Sequence, residues 1–366
     1  DGKSPEEVRA DFTFGNPHEM PLGGLVTALT KAIKPENAAW FAYKSSEPMA
    51  REAIAVGLRS ELGLAFSPED IAMTQGAFGA IATAFSVLLN PGDECIIPVP
   101  GWFCYSSILR SLDTIPVKVS LNEQDYDLNL AAIEKALTPQ TRLVVVNTPH
   151  NPTGVIYGRE RLRELADLLE GYSNKFGRRI FILSDEPYRR IRFDGAGFTS
   201  PAEVYPWTLI DYSYGKILLA PGLRLGYLAL GPHMPMEERR ELQRTIAVAQ
   251  VARGWGFPDA PLQQAAPDLE GLSIDIGHLE AKRDRLFSAL EQWGFRMTRP
   301  QGTFYLWGQA PGLDSVTFAR QLAKQNIFVM PGTLFDRPRE FRISLTANDD
   351  MIEAGLPAFK ALAPQH

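Results

Sequence analysis

Cysteine is scarce, with two residues, Cys95 and Cys104, in a chain of 366. Two thiols cannot build a disulfide framework or a zinc site, and this usage fits a reducing, cytoplasmic setting. Cys95 sits in the apolar run Glu94-Cys95-Ile96-Ile97-Pro98-Val99, where a small buried hydrophobe is expected. The five histidines, His18, His150, His233, His278 and His366, show no ligand spacing, which argues against a catalytic metal. No apolar stretch approaches the roughly 20 residues that cross a bilayer. The opening Asp1-Gly2-Lys3-Ser4-Pro5 carries no hydrophobic signal core. Neither sign of charge dominates: 37 basic and 43 acidic residues leave −6. With no Lys/Arg run to offset that balance, nucleic acid is not an expected partner. Internal repeats and low-complexity tracts are missing as well.

What is present reads as an ordinary globular chain, 45% hydrophobic and 22% charged, long enough for a large domain and a smaller one. The runs Glu94 to Val99, Leu143 to Asn147, Ile180 to Ser184 and Thr208 to Asp211 are apolar almost throughout. Continuous rather than alternating apolar character marks strands of a parallel sheet covered on both faces. Between the second and third runs an amphipathic helix is expected over 159–176, with Leu162, Leu165, Leu169 and Tyr172 on one face. Strand-helix-strand alternation of this length implies an α/β domain. Residues 1–46 are rich in turns, with a helix near Leu25 to Ile33. From about 275 a long helix begins, presenting Leu279, Leu286, Leu290 and Trp293. A strand over Gly302 to Trp307, a helix near 315–325 and a strand over Phe341 to Leu345 follow. The expected division is therefore an N-terminal arm at 1–46, a large α/β domain at 47–272 and a small α+β domain at 273–366, completed by the N-terminal segment.

Chemistry gathers where the strands end. Ligands of open α/β sheets bind beyond the carboxyl ends of the strands, and three loops deliver polar groups there. Asn151 follows the strand ending at Asn147, in Asn147-Thr148-Pro149-His150-Asn151-Pro152-Thr153-Gly154. Asp185 and Tyr188 follow Ser184, and Ser213-Tyr214-Gly215-Lys216 follows Asp211. Eight residues past Lys216, Arg224 stands in Pro221-Gly222-Leu223-Arg224-Leu225-Gly226-Tyr227. An amine able to form a Schiff base, with a hydroxyl and a guanidinium able to hold a phosphate, suits a phosphorylated aldehyde. Gln75-Gly76-Ala77-Phe78-Gly79 precedes an apolar stretch. It reads as a loop opening a helix, whose free N–H groups favour an anion.

Together these elements resemble the fold-type I pyridoxal-phosphate enzymes, and within them the class I/II aminotransferases. Asn-Pro-Thr-Gly, Asp-Glu-Pro-Tyr, Ser-x-x-Lys and Pro-Gly-x-Arg-x-Gly occur in the family's order, and the similarity runs from about Gly15 to Leu362. The resemblance implies pyridoxal 5'-phosphate as cofactor, an amino acid and a 2-oxo acid as substrates, and a ping-pong transfer of the amino group. Lys216 would hold the cofactor aldehyde as an internal aldimine and move the proton. Asp185 would face the pyridine nitrogen; as a bare residue it also reads as a helix N-cap. Tyr188 and Asn151 would bond the phenolic oxygen, although Asn151 before Pro152 is equally a turn residue. Gly76, Ala77, Phe78, Ser213 and Arg224 would hold the phosphate. Trp102 would stack on the ring, and its ordinary alternative is a core tryptophan.

Arg342 matches the arginine that grips the substrate carboxylate, with a structural salt bridge as the other reading. Gly15 matches the segment that closes over substrate. Tyr43 matches the tyrosine that reaches the neighbouring subunit's phosphate, in a segment that is shorter here and lacks the family's glycine. A homodimer with shared sites follows from that match. Other reactions of the same cofactor, such as β-elimination, decarboxylation or racemisation, remain alternatives, as does a non-catalytic cofactor-binding regulator. Lys44, Arg189 and Arg190 are available as a second cation for a dicarboxylate, whereas Trp40 and Phe41 point to an apolar or aromatic side chain.

Overall fold

Two sheets organise the computed structural model, which describes residues 8–312 and 314–364; the opening Asp1 to Pro5 lies outside that range. In chain order the strands are β1 (Ala10–Phe12), β2 (Ile71–Thr74), β3 (Glu94–Val99), β4 (Ile115–Ser120), β5 (Thr141–Asn147), β6 (Phe181–Asp185), β7 (Thr208–Ser213), β8 (Gly226–Leu230), β9 (Met297–Thr298), β10 (Tyr305–Gln309), β11 (Ile327–Pro331) and β12 (Glu340–Ser344). The larger sheet runs β2-β8-β7-β6-β5-β3-β4 and the smaller β1-β11-β12-β10-β9. From β4 to β7 every pairing in the larger sheet is parallel. Only β8 reverses, running antiparallel to both β7 and β2.

Burial explains why the central strands are legible as apolar runs. Every residue of β6, β7 and β8 is buried, because helices cover both faces. The helix Arg159–Phe176 turns Leu162, Leu165 and Leu169 inward and ends on Gly177, whose φ of 62° is the left-handed cap that glycine takes readily. The strand expected at Gly302 instead begins at Tyr305. Thr303 has a φ of 69°, which breaks an extended run before the ladder can form. In the smaller sheet β1 lies parallel to β11, Ala10 opposite Ile327. The N-terminal segment is thus tied to residues more than 300 positions away, leaving the loop after Phe12 at the edge of the larger sheet's ligand face.

The loop after β5 is held by a buried imidazole. The His150 ring shares a hydrogen bond of 2.7 Å with Thr153 Oγ1, and its backbone N–H donates to Val155 O at 2.8 Å. Burial pushes the ring down from its ordinary 6.5 to about 3. Between those values the unfolded chain binds a proton that the folded chain refuses, so stability falls as pH falls. Denaturant unfolding at pH 7 and pH 4 should therefore show His150→Gln losing less stability on acidification than the parent, by on the order of 2–3 kcal/mol. Equal acid losses in the two proteins would remove His150 as the cause.

Candidate active site

Three neighbouring strand ends define the site. Asn147, Asp185 and Asp211 stand opposite one another across β5, β6 and β7, so their side chains share one face of the sheet. Two residues beyond Asp211, Ser213 ends β7 and caps the short helix Tyr214–Ile217, its hydroxyl accepting from Gly215 N at 3.3 Å. That turn carries Lys216 to the same edge. A cavity of about 420 Å³ opens there, lined by Asn147, Asn151, Asp185, Tyr188, Ser213, Lys216 and Arg224. Ala77, Phe78, Trp102, Phe103, Cys104 and Phe14 complete its wall. Its size is that of a small-molecule site. A separate apolar cavity of about 390 Å³ between the N-terminal segment and Leu218 to Leu223 contains none of these polar groups.

The phosphate-type donors come together because β8 runs back along β2. Thr74 pairs with Gly226, which brings Arg224 beside the start of the helix Gly76–Leu88. There Arg224 donates to Gln75 O at 3.4 Å and to Pro221 O at 2.8 Å. Gly76 has a φ of 72°, and a Cβ on it would stand 2.9 Å from an Arg224 nitrogen. Gly226 is tighter still, since a Cβ would meet Tyr212 O at 2.3 Å and Gly76 Cα at 2.8 Å. No side chain caps this helix, so its first N–H groups stay open to an anion.

Asp185 ends a strand with no helix after it, so the N-cap reading is not realised. Its carboxylate is buried. One oxygen, Oδ2, accepts from the Tyr105 hydroxyl, and the other, Oδ1, meets no donor among the described residues. Burial raises its pKa from the usual carboxylate range, opposed by the Tyr105 hydrogen bond. Asn147 braces both loops, donating to Asp185 O at 2.9 Å and accepting from Asn151 N at 2.7 Å. Trp102 is half-buried and packs edge-on against Tyr105 and Phe78, with centroids 5.2 and 4.6 Å apart. It lines the cavity while packing against the apolar core behind it. Burial pushes the neighbouring Cys104 thiol up to about 11, so it stays protonated at neutral pH.

Arg342 reaches this edge from the smaller sheet. Its guanidinium is buried, donates to Asn151 Oδ1 at 2.9 Å and Thr13 O at 2.8 Å, and rests 3.8 Å from the Tyr305 ring centroid. No carboxylate of the described residues forms an ion pair with it, and its Nε has no partner. The structural salt bridge is therefore absent, leaving a buried cation held by neutral acceptors. The Lys216 amine likewise has no hydrogen bond or ion pair among the described residues; it stands 5.7 Å from the Tyr188 ring and 5.8 Å from Phe304. Tyr188 donates to the Tyr305 hydroxyl at 3.4 Å. Burial acts to raise Tyr305, but Arg342 and Lys216 outweigh it and hold the phenol below its ordinary value. Gly15 lies against Phe304, where a Cβ would stand 2.5 Å from the ring.

Other expected residues lie elsewhere. Tyr43 is 88% exposed and packs on Phe257 at 5.0 Å, outside the cavity. Arg189 is buried and tied to Glu61, Glu186 and Tyr227; Arg190 bonds Leu272 O and pairs with Glu61. Lys44 pairs with Glu47, and the Trp40 ring donates to Ala32 O. None of these lines the cavity. Conversely, Asn147, Tyr105, Asp211 and Tyr305 belong to the site although no local sequence pattern marks them for it. Asn147 and Asp211 read only as strand ends, and Tyr105 carried only its position three residues after Trp102.

Replacing Gly76 by Ala should lower the unfolding free energy by about 1–2 kcal/mol, the left-handed penalty, and displace Arg224. Denaturant unfolding showing no loss would mean that the backbone there relaxes freely.

Residues 16–359 match the family model described as "Aminotransferase class I and II". The chain is 30% identical over 325 residues to a probable aspartate/prephenate aminotransferase of Thermus aquaticus, covering 87% of this chain and 82% of that protein. It is 29% identical over 350 residues to an aspartate aminotransferase of Geobacillus stearothermophilus, with 90% and 85% covered. Among solved structures, an amino transferase from Eubacterium rectale superposes with a TM-score of 0.92 at 29% identity, covering 98% of this chain and 90% of that one. The Thermus thermophilus aspartate aminotransferase with maleate gives 0.82 at 27%, covering 96% and 92%. With the family matched along nearly its whole length and the fold shared, this chain belongs to the class I and II aminotransferases, of fold type I.

Proposed function

We propose that the protein binds pyridoxal 5'-phosphate in the cavity at Lys216 and transfers an amino group from an amino acid to a 2-oxo acid by a ping-pong route. The observation that carries this reading is the arrangement of unpaired charge. Among the described residues the Lys216 amine and the buried Arg342 have no counter-ion, and the buried Asp185 carboxylate of the same cavity has an unpartnered oxygen. Residues and cofactor fit. Asp185 Oδ1 is an orphaned acceptor suited to a ring N–H, and the cradle between Gly76 and Arg224 has no room for a Cβ.

The bound cofactor would supply an aldehyde for amines and a ring able to take up an electron pair. The chain's own groups do the rest. Lys216 Nζ would anchor the aldehyde and, when free, would move the proton at the substrate Cα. The N–H groups of Ala77 and Phe78, the Ser213 hydroxyl and the Arg224 fork hold the phosphate. Asp185 would keep a proton on the ring nitrogen, Trp102 would cover the ring, and Tyr188 and Asn151 would hold its phenolic oxygen. Arg342 binds the carboxylate of both substrates, since the two half-reactions share one site. Phe14 and Gly15 border that end.

Tyr43, with Phe41 and Phe257, forms an exposed aromatic patch that supports a homodimer in which each subunit completes the other's site. A reducing cytoplasm suits the free thiols of Cys95 and Cys104. Among the described residues no helix is long and apolar enough to cross a membrane.

Two measurements test the reading. Borohydride treatment of the protein loaded with pyridoxal phosphate should leave a pyridoxyl group on the Lys216 peptide. Lys216→Ala should stay folded, escape the label and lose turnover by several orders of magnitude. Second, adding single amino acids, aspartate, glutamate and the aromatic ones first, should convert the cofactor to its amine form, and a 2-oxo acid should reverse it. A label on another lysine would sink the assignment of Lys216. Release of ammonia or carbon dioxide instead of reversible conversion would favour a lyase or decarboxylase.

A further inference from the structure

Asp211 lies directly opposite Asp185 on the adjacent parallel strand, so both carboxyl groups project from the same face of the sheet. It is wholly buried, and among the described residues neither of its oxygens meets a donor; nor does Asp185 Oδ1. The surroundings offer no cation for it. On its other side β8 presents Leu228, and the helix Gly76–Leu88, packed across β6, β7 and β8, contains no titratable side chain. Leu183, Leu209 and Leu228 join Ala80, Ala84 and Phe85 of that helix in one apolar core. The titratable groups that act on Asp211 are Asp185 and Glu186, both acidic. Tyr105 feels its charge in turn. Asp185, by contrast, has the Tyr105 hydroxyl and the positive field of Lys216.

Two adjacent carboxylates in a dry pocket cannot both ionise. The proton therefore belongs on the acid with no other support. We propose that Asp211 is a positioning residue that stays protonated at neutral pH and donates its carboxyl O–H to Asp185. Asp185 then carries two hydroxyl donors, from Tyr105 on Oδ2 and from Asp211 on Oδ1, and Oδ1 keeps a second lone pair for a ring N–H. Burial first, and the Asp185 charge second, push Asp211 well above the usual carboxylate range. A protonated acid adds a donor without adding charge, the same device by which an apolar pocket turns a carboxylic acid into a hydrogen-bond donor. The pair thus presents one negative charge, held ionised against burial, to whatever cation sits above Asp185. That last step rests on the pyridoxal-phosphate reading; the location of the proton does not.

Infrared spectra of the full chain at neutral pH, in water and heavy water, test the proton directly. A carbonyl stretch of a protonated acid should be present, shift in heavy water, vanish in Asp211→Asn and survive in Asp185→Asn. Loss of an ionised-carboxylate band in Asp211→Asn would overturn the proposal. Should that variant not fold, the parent chain labelled with carbon-13 aspartate decides alone: no protonated aspartic acid band means no such donor. A second arm measures pyridoxal-phosphate affinity by titration. Asp211→Leu should bind about 10- to 100-fold more weakly, the loss of one hydrogen bond to a charged group. Asp211→Asn, which keeps a donor, should recover most of the affinity. Unchanged affinity in Asp211→Leu would refute a role through Asp185. A parent chain that binds no pyridoxal phosphate would defeat the cofactor reading and leave the infrared result to judge Asp211.

Discussion

An ionised carboxylate sealed beneath a sheet edge needs partners that a hydrophobic core does not provide, and the site is arranged around meeting that need at Asp185. Desolvation works against its charge. The opposing contributions come from three directions: the Tyr105 hydroxyl from the start of the helix Tyr105–Arg110, Asp211 from β7, and the Lys216 amine from the turn after β7. Each depends on the parallel register of the larger sheet, where β5, β6 and β7 end side by side. A slip of one residue in β7 would turn Asp211 and Ser213 to the opposite face and misplace the turn that carries Lys216. The chemistry is therefore tied to strand pairing before it is tied to any loop.

Charge is distributed with matching economy. The acidic group at the cavity, Asp185, is buried, whereas Lys216 and Arg224 line the cavity and Arg342 joins it through Asn151, all three without a carboxylate partner among the described residues. Arg189, equally buried, shows the contrast, since Glu61 and Glu186 neutralise it. An arginine serving stability is paired inside the chain; those at the cavity hold only neutral carbonyl and amide oxygens. That asymmetry suits a ligand that brings its own anionic groups, and it separates structural from binding cations more sharply than position in the chain does.

Much of this was legible in the residues. The strands β5, β6 and β7 announce themselves as apolar runs because both faces are covered, and the helix Arg159–Phe176 follows its leucine spacing to the residue. Polar residues just beyond such strands lie at the ligand edge by topology. Other parts depend on contacts that no local pattern carries. Tyr105 and Asp185 are 80 positions apart, and nothing within Tyr105-Ser106-Ser107 marks a buried hydroxyl. Asp211 reads as an ordinary polar residue at a strand end until its cross-strand partner is known. β8 is hidden inside the glycine-punctuated stretch around Arg224, and its reversal is what carries that side chain to Gly76. Arg189 and Arg190 read as available cations because Glu61, which pairs with both, lies 128 positions before Arg189 in the chain.

Arg342 shows how the two sheets become one site. Its backbone belongs to β12, its guanidinium lies on Tyr305 of the adjacent β10, and its two terminal nitrogens donate to segments following β1 and β5. The fork geometry matters here. A lysine presents a compact point charge that could neither stack on the tyrosine ring nor span Asn151 and Thr13 at once. Both of those acceptors are neutral, so they orient the cation without discharging it. A carboxylate arriving at the free Nε would supply the missing charge in a dry setting, where a charge-assisted hydrogen bond is strongest. Because Thr13 O is one of the acceptors already engaged, such a ligand would act on the same guanidinium that holds the N-terminal segment beside Phe14 and Gly15. Carboxylate binding there would then be coupled to the placement of that segment through one side chain.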